Sequence, residues 1–129
     1  MRYLAVLDVT KQPSTPPPPA LMEAIIALGE EATRAGVLLD TAGLAPSSAG
    51  ARVAVADGEI TITDGPFADT KEMISYALYD VRTKEEAVEW SRRFMNLHRV
   101  HWPEWQGAAR VLRVMGPEDF GAAAAHDAW

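Results

Sequence analysis

The chain contains no cysteine, which removes disulfide bridges, zinc-thiolate centres and thiol nucleophiles together and suits a reducing compartment. No apolar run approaches the roughly 20 residues that a membrane-spanning helix needs. The first such run, Tyr3-Leu4-Ala5-Val6-Leu7, is cut short by Asp8 and lacks a small-residue cleavage site, so it does not read as an export signal. The expectation is a cytoplasmic protein that does not engage a membrane. Basic clusters are scarce as well. Nothing is denser than Arg92-Arg93, and a net charge of −6 repels a phosphate backbone, which argues against a nucleic-acid partner. Patterns for dinucleotide-binding turns, phosphate loops, zinc-protease helices and serine-nucleophile elbows are all missing, so no cofactor is expected and the familiar hydrolase mechanisms are disfavoured.

What is present is ordinary globular composition. The 129 residues are 48% apolar and 23% charged, enough for one core that buries roughly two thirds of the unfolded chain's surface. Residues 2 to 9 are apolar on both alternating faces, as in a central strand of a covered sheet. Thr10 to Pro19, with its prolines at 13 and 16 to 19, can be neither helix interior nor sheet centre and predicts an exposed polyproline II connector. Leu21, Ile25, Leu28 and Ala32 recur at helical spacing between Pro19 and Gly36, a first-turn proline and a C-terminal cap. A strand over Gly36 to Asp40 follows, then a hairpin of Arg52 to Ala56 and Glu59 to Thr63 around Asp57-Gly58, the signature of a type I′ turn. Met73 to Val81 alternates as a strand. Thr83-x-x-Glu86 then opens a second helix that Pro103 must end, and Ala108 to Met115 is the last strand.

This order predicts an α+β chain, a ferredoxin-like split βαβ with an inserted hairpin, over residues 1–115, with 116–129 as a partly flexible tail. Two helices cover only one face of such a sheet. The other face is also apolar in residues 2 to 9, so burial against a second copy, a homodimer, is expected.

Candidate chemistry gathers around Asp64-Gly65-Pro66-Phe67. Gly65 can take positive φ, Pro66 restricts its neighbour, and Asp64 can accept hydrogen bonds from amides just downstream, so the segment reads first as a tight turn. As a catalytic site, the same turn would hold Asp64, Lys71 and Glu72 at one edge of the sheet, with one carboxylate as base and Lys71 tuning its pKa. As a binding pocket, Phe67 would supply apolar contact and Lys71 would meet an anion. His98 and His101 at the end of the second helix could present a metal with Glu104 as third ligand, or simply interact with the helix dipole; no metal is expected.

The stretch Thr63-Asp64-Gly65-Pro66-Phe67-Ala68-Asp69-Thr70-Lys71-Glu72 resembles the signature of the YCII-related superfamily, in its DGPF branch. Gly36-Val37-Leu38, Gly43-Leu44-x-Pro46, Lys84 to Trp90 and His98 with Trp102-Pro103 are also similar to that branch. The resemblance covers residues 2 to 115 and implies a dimeric ferredoxin-like α+β barrel, with His98 and Arg113 near a ligand site. It also implies that a few relatives are small-molecule enzymes using a His-Asp pair and that others act beside extracytoplasmic-function sigma factors. The first helix, where such a histidine would sit, has none. A small-molecule binder with acid-base chemistry and an accessory protein acting on a protein partner such as a sigma factor are therefore both open.

Overall fold

A computed structural model describes residues 1–67 and 71–120. Among the described residues six strands and three α-helices follow one another: β1 (Arg2–Lys11), α1 (Pro19–Arg34), β2 (Leu38–Gly43), β3 (Ala51–Ala56), β4 (Glu59–Asp64), β5 (Glu72–Asp80), α2 (Lys84–His101), β6 (Gln106–Arg113) and the short α3 (Pro117–Phe120), with a single 3-10 turn at Ser47–Ala49 before β3. The main sheet has the order β2-β5-β1-β6, with every pair antiparallel. With the hairpin set aside this is the ferredoxin-like arrangement, and strand β1 is central in it, as its doubly apolar pattern demands.

Local chemistry explains most of the element ends. Helix α1 has Pro18 as its N-cap and closes with Gly36 at φ 73; Val37 N–H donates to Ala32 and Gly36 N–H to Thr33, the paired bonds of a Schellman cap. At the start of α2 the Thr83 hydroxyl accepts from Glu86 N–H at 3.2 Å, while the Glu86 carboxylate turns back to the amide of Arg82. Positive φ at Asp57 and Gly58 makes the type I′ turn between β3 and β4, with Ala56 opposite Glu59.

Both long helices lie on the face of the sheet that carries Tyr3, Ala5 and Leu7. Tyr3 and Ala5 pack with Tyr79, Val81 and Ala87, and Leu7 packs with Leu21, Trp102 and Trp105. The opposite face carries Leu4, Val6 and Asp8 of β1, with Tyr76 and Leu78 of β5 and Arg110 and Leu112 of β6 in register beside them. Neither long helix covers it. Leu112 is half exposed, and so is Met73.

The inserted hairpin stands apart. Its strands pair with each other and form no ladder with the main sheet. One side carries Val53, Val55, Ile60 and Ile62, each between 68% and 74% exposed. A two-stranded hairpin with an uncovered apolar side is marginal in water, and this one is held by its base.

Candidate functional site

The hairpin base is built around a close backbone approach. A side chain at Gly65 would strike the carbonyl of Ser47, whose oxygen lies 1.7 Å from the place a Cβ would occupy. The expectation of positive φ at Gly65 is thus corrected: among the described residues the left-handed glycines are Gly36 and Gly58, and Gly65 is needed because its backbone nearly touches that of Ser47. Gly65 N–H donates to Gly50 at 2.9 Å and Phe67 N–H to the Ser47 hydroxyl at 3.3 Å. The Ser47 amide in turn donates to Oε1 of Glu72 at 2.7 Å. The turn is therefore fastened by Ser47 and Glu72. Asp64, expected to fasten it, is exposed at the end of β4 opposite Ala51, and its carboxylate has no hydrogen-bond partner among the described residues.

Beside this base opens a recess of about 720 Å³. Asp8, Phe67, Lys71, Glu72, Met73 and Arg110 line it, with Leu44, Ala45 and Ser47 on the side of the loop. A bulge decides its shape. Leu7 pairs with Ser75 but Asp8 pairs with Met73, so Ile74 is the extra residue, and its carbonyl accepts from the amide of Leu44. The bulge brings Met73 opposite Asp8 on the face away from the helices.

Asp8 is a carboxylate only 6% exposed, on the central strand. Burial of a charge is tolerated when it is paired and hydrogen-bonded. Arg110, its diagonal neighbour on β6, supplies that pair through Nε to Oδ2 at 2.8 Å and Nη2 to Oδ1 at 3.5 Å. Arg110 itself is half exposed. Lys71 is exposed and has no hydrogen-bond or ion-pair partner among the described residues.

Of the six residues singled out from sequence, the recess unites Phe67, Lys71 and Glu72. Asp64 stands outside its lining. His98 lies on the helix side of the sheet, buried between the rings of Phe94 and Trp105 at 4.9 and 4.5 Å, with Nδ1–H donating to the Phe94 carbonyl at 3.1 Å. Burial there holds its pKa below the ordinary histidine value, outweighing the carbonyl that favours the charged form. Arg113 sits opposite Tyr3, five positions from Asp8 along β1 and so roughly 17 Å away. It is paired with Asp119 of α3 at 2.7 Å, which raises the Arg113 pKa; the amide of Gly116 first, and then Arg113, lower that of Asp119. Among the described residues no three His, Asp or Glu side chains stand close enough to hold a metal ion.

Sequence reading missed Asp8 and Arg110. The signal for Asp8 was present, a lone carboxylate inside Leu4-Ala5-Val6-Leu7-Asp8-Val9, while Arg110 becomes visible only through the register of β1 with β6.

A second, smaller cavity of about 90 Å³ lies under the helices, lined by Ala5, Leu7, Ile25, Leu28, Trp90 and Phe94 among others. It is an apolar gap between sheet and helices and shares no lining residue with the recess.

The model of the YCII-related domain matches residues 1–98 of the 129. The chain belongs to the YCII-related family. That match includes Asp8, the hairpin and the recess residues Phe67, Lys71 and Glu72; Arg110 lies beyond it. No curated protein matches this YCII-related chain significantly. Among its described residues no helix is long and apolar enough to cross a membrane.

Proposed function

We propose that this YCII-related protein, a member of the DGPF branch, binds a small organic molecule in the recess beside Asp64-Gly65-Pro66-Phe67 and can move a proton there. The observation that carries the reading is the convergence of Lys71, Glu72 and the Asp8–Arg110 pair on one recess that also has apolar walls at Leu44, Phe67 and Met73. Few polar groups against apolar walls is the usual make-up of a small-molecule site. Glu72 is the proton acceptor: its Oε1 is held by the Ser47 amide, and Oε2 has no hydrogen-bond partner among the described residues. A fragment screen read by NMR chemical shifts tests this. Binders that perturb the amides of Ser47, Phe67 and Met73 are expected, and a screen without any that do so would end the proposal. Once a turned-over substrate is in hand, Glu72→Gln should abolish turnover while leaving binding within a few fold.

The protein works as a homodimer in this reading. Support comes from the helix-free face with Leu4, Leu78 and Leu112 and from the hairpin's exposed Val53, Val55, Ile60 and Ile62. Contiguous apolar surface of this kind marks an interaction site. Sedimentation equilibrium at micromolar concentration should give twice the chain mass; a monomer there would refute the dimer.

A further inference from the structure

The recess also indicates what kind of molecule it takes. We infer that its ligand is a monoanion, a small organic carboxylate with an apolar body, bound through the free edge of Arg110 and by Lys71. This rests on the reading of the recess as a small-molecule site.

Bonding capacity is the first argument. Asp8 is held from both sides in the central strand and fixes the Nε and Nη2 edge of Arg110. Among the described residues the only further bond of the guanidinium is a long one from Nη2 to the sulfur of Met73, at 3.7 Å. Nη1 has no partner among the described residues. A guanidinium clamped along one edge offers the other as a preset fork, the geometry that receives a carboxylate bidentately. Lys71, on the same recess, has donors to spare. Unused donors outnumber unused acceptors here, since Asp8 is spent on Arg110 and one oxygen of Glu72 on Ser47.

Charge decides the valence. Asp8 and Glu72 balance Arg110 and Lys71, so the recess is neutral in sum inside a chain of net charge −6. One added negative charge finds two cations with free donors. A doubly charged phosphate would meet the same two cations together with the Glu72 carboxylate, inside a chain of net charge −6. Leu44, Phe67 and Met73 provide for the apolar body.

The test is a set of matched probes, benzoate, benzyl alcohol and phenyl phosphate, titrated into the full-length isotope-labelled protein and followed at the amides of Ser47, Phe67 and Met73. Benzoate should bind about tenfold more tightly than benzyl alcohol, the fold-change of one charge-assisted hydrogen bond, and phenyl phosphate no more tightly than benzoate. Arg110→Gln should erase the preference for benzoate. Because that change strands Asp8, Lys71→Gln, at an exposed position, is the companion variant and should weaken benzoate several fold while sparing benzyl alcohol. Equal binding of benzoate and benzyl alcohol would overturn the carboxylate inference and leave the small-molecule reading intact; tighter binding of phenyl phosphate would overturn the monoanion. Probes that shift no recess amide would sink both. If Arg110→Gln dissociates the protein on sedimentation and Lys71→Gln leaves benzoate binding unchanged, the arginine serves an interface and the inference is wrong.

Discussion

Strand β1 shows two faces made from alternate residues of one short segment. Tyr3, Ala5 and Leu7 meet two helices and are each at most 8% exposed. Leu4, Val6 and Asp8 face away from those helices, and there the apolar pattern ends in a carboxylate paired with Arg110. The first face is closed by packing around a gap of about 90 Å³, whereas the second opens at its Asp8 end into the recess of about 720 Å³. The helix-covered face is built for packing, and the other keeps polar groups with unused hydrogen-bonding capacity. A sealed core tolerates no stray polar group, and a binding recess requires groups whose donors are not all consumed.

Mutation should show the division, and the largest effect belongs to the covered face. Leu21→Ala, at a side chain 1% exposed, is expected to cost about 3 kcal/mol in urea unfolding; a loss below about 1 kcal/mol would mean that the helices hold the sheet less tightly than the packing indicates. On the open face, Asp8→Ala should cost about 1 to 2 kcal/mol, much less than a buried pair in a sealed core, because the half-exposed Arg110 can return to water. Most of that cost should vanish when Arg110 is already alanine, as a double-mutant cycle would register. His98 sharpens the contrast through pH. Its folded-state pKa is lowered by burial, so the unfolded chain binds the proton more readily. Stability from this group is complete above about pH 6.5 and is lost as pH falls from there through the folded pKa. Urea midpoints from pH 7.5 to 5 should fall more steeply for the native chain than for His98→Phe, and parallel curves would count against the burial. The smallest effect is expected at Asp64→Ala, within about 0.5 kcal/mol, since Ser47 and Glu72 fasten the turn. A larger loss would return Asp64 to the role in the turn that its sequence position implies.

How far the fold can be read without coordinates depends on the range of each interaction. Gly36, Thr83 with Glu86, and Asp57-Gly58 specify their cap, helix start and turn through bonds among near neighbours, and all are found where the pattern puts them. The centrality of β1 follows from apolar residues on both of its faces. Asp64-Gly65-Pro66-Phe67 was legible as a turn, and three of the residues chosen around it, Phe67, Lys71 and Glu72, line one recess. Its mechanics were not legible. The need for glycine at 65 comes from Ser47, distant in sequence, and the bulge at Ile74 leaves no mark in a run that alternates smoothly.

The order of elements, the α+β class and the absence of thiol chemistry were determined by the sequence itself, because periodicity, turn residues and composition act within a few positions or over the whole chain at once. Tertiary structure alone decided that Asp8 meets Arg110 across 102 positions, that His98 goes under the helices and that Arg113 lies at the far end of the sheet. Those outcomes depend on strand order and register, and a shift of one residue would exchange the two faces of β1 without changing its composition.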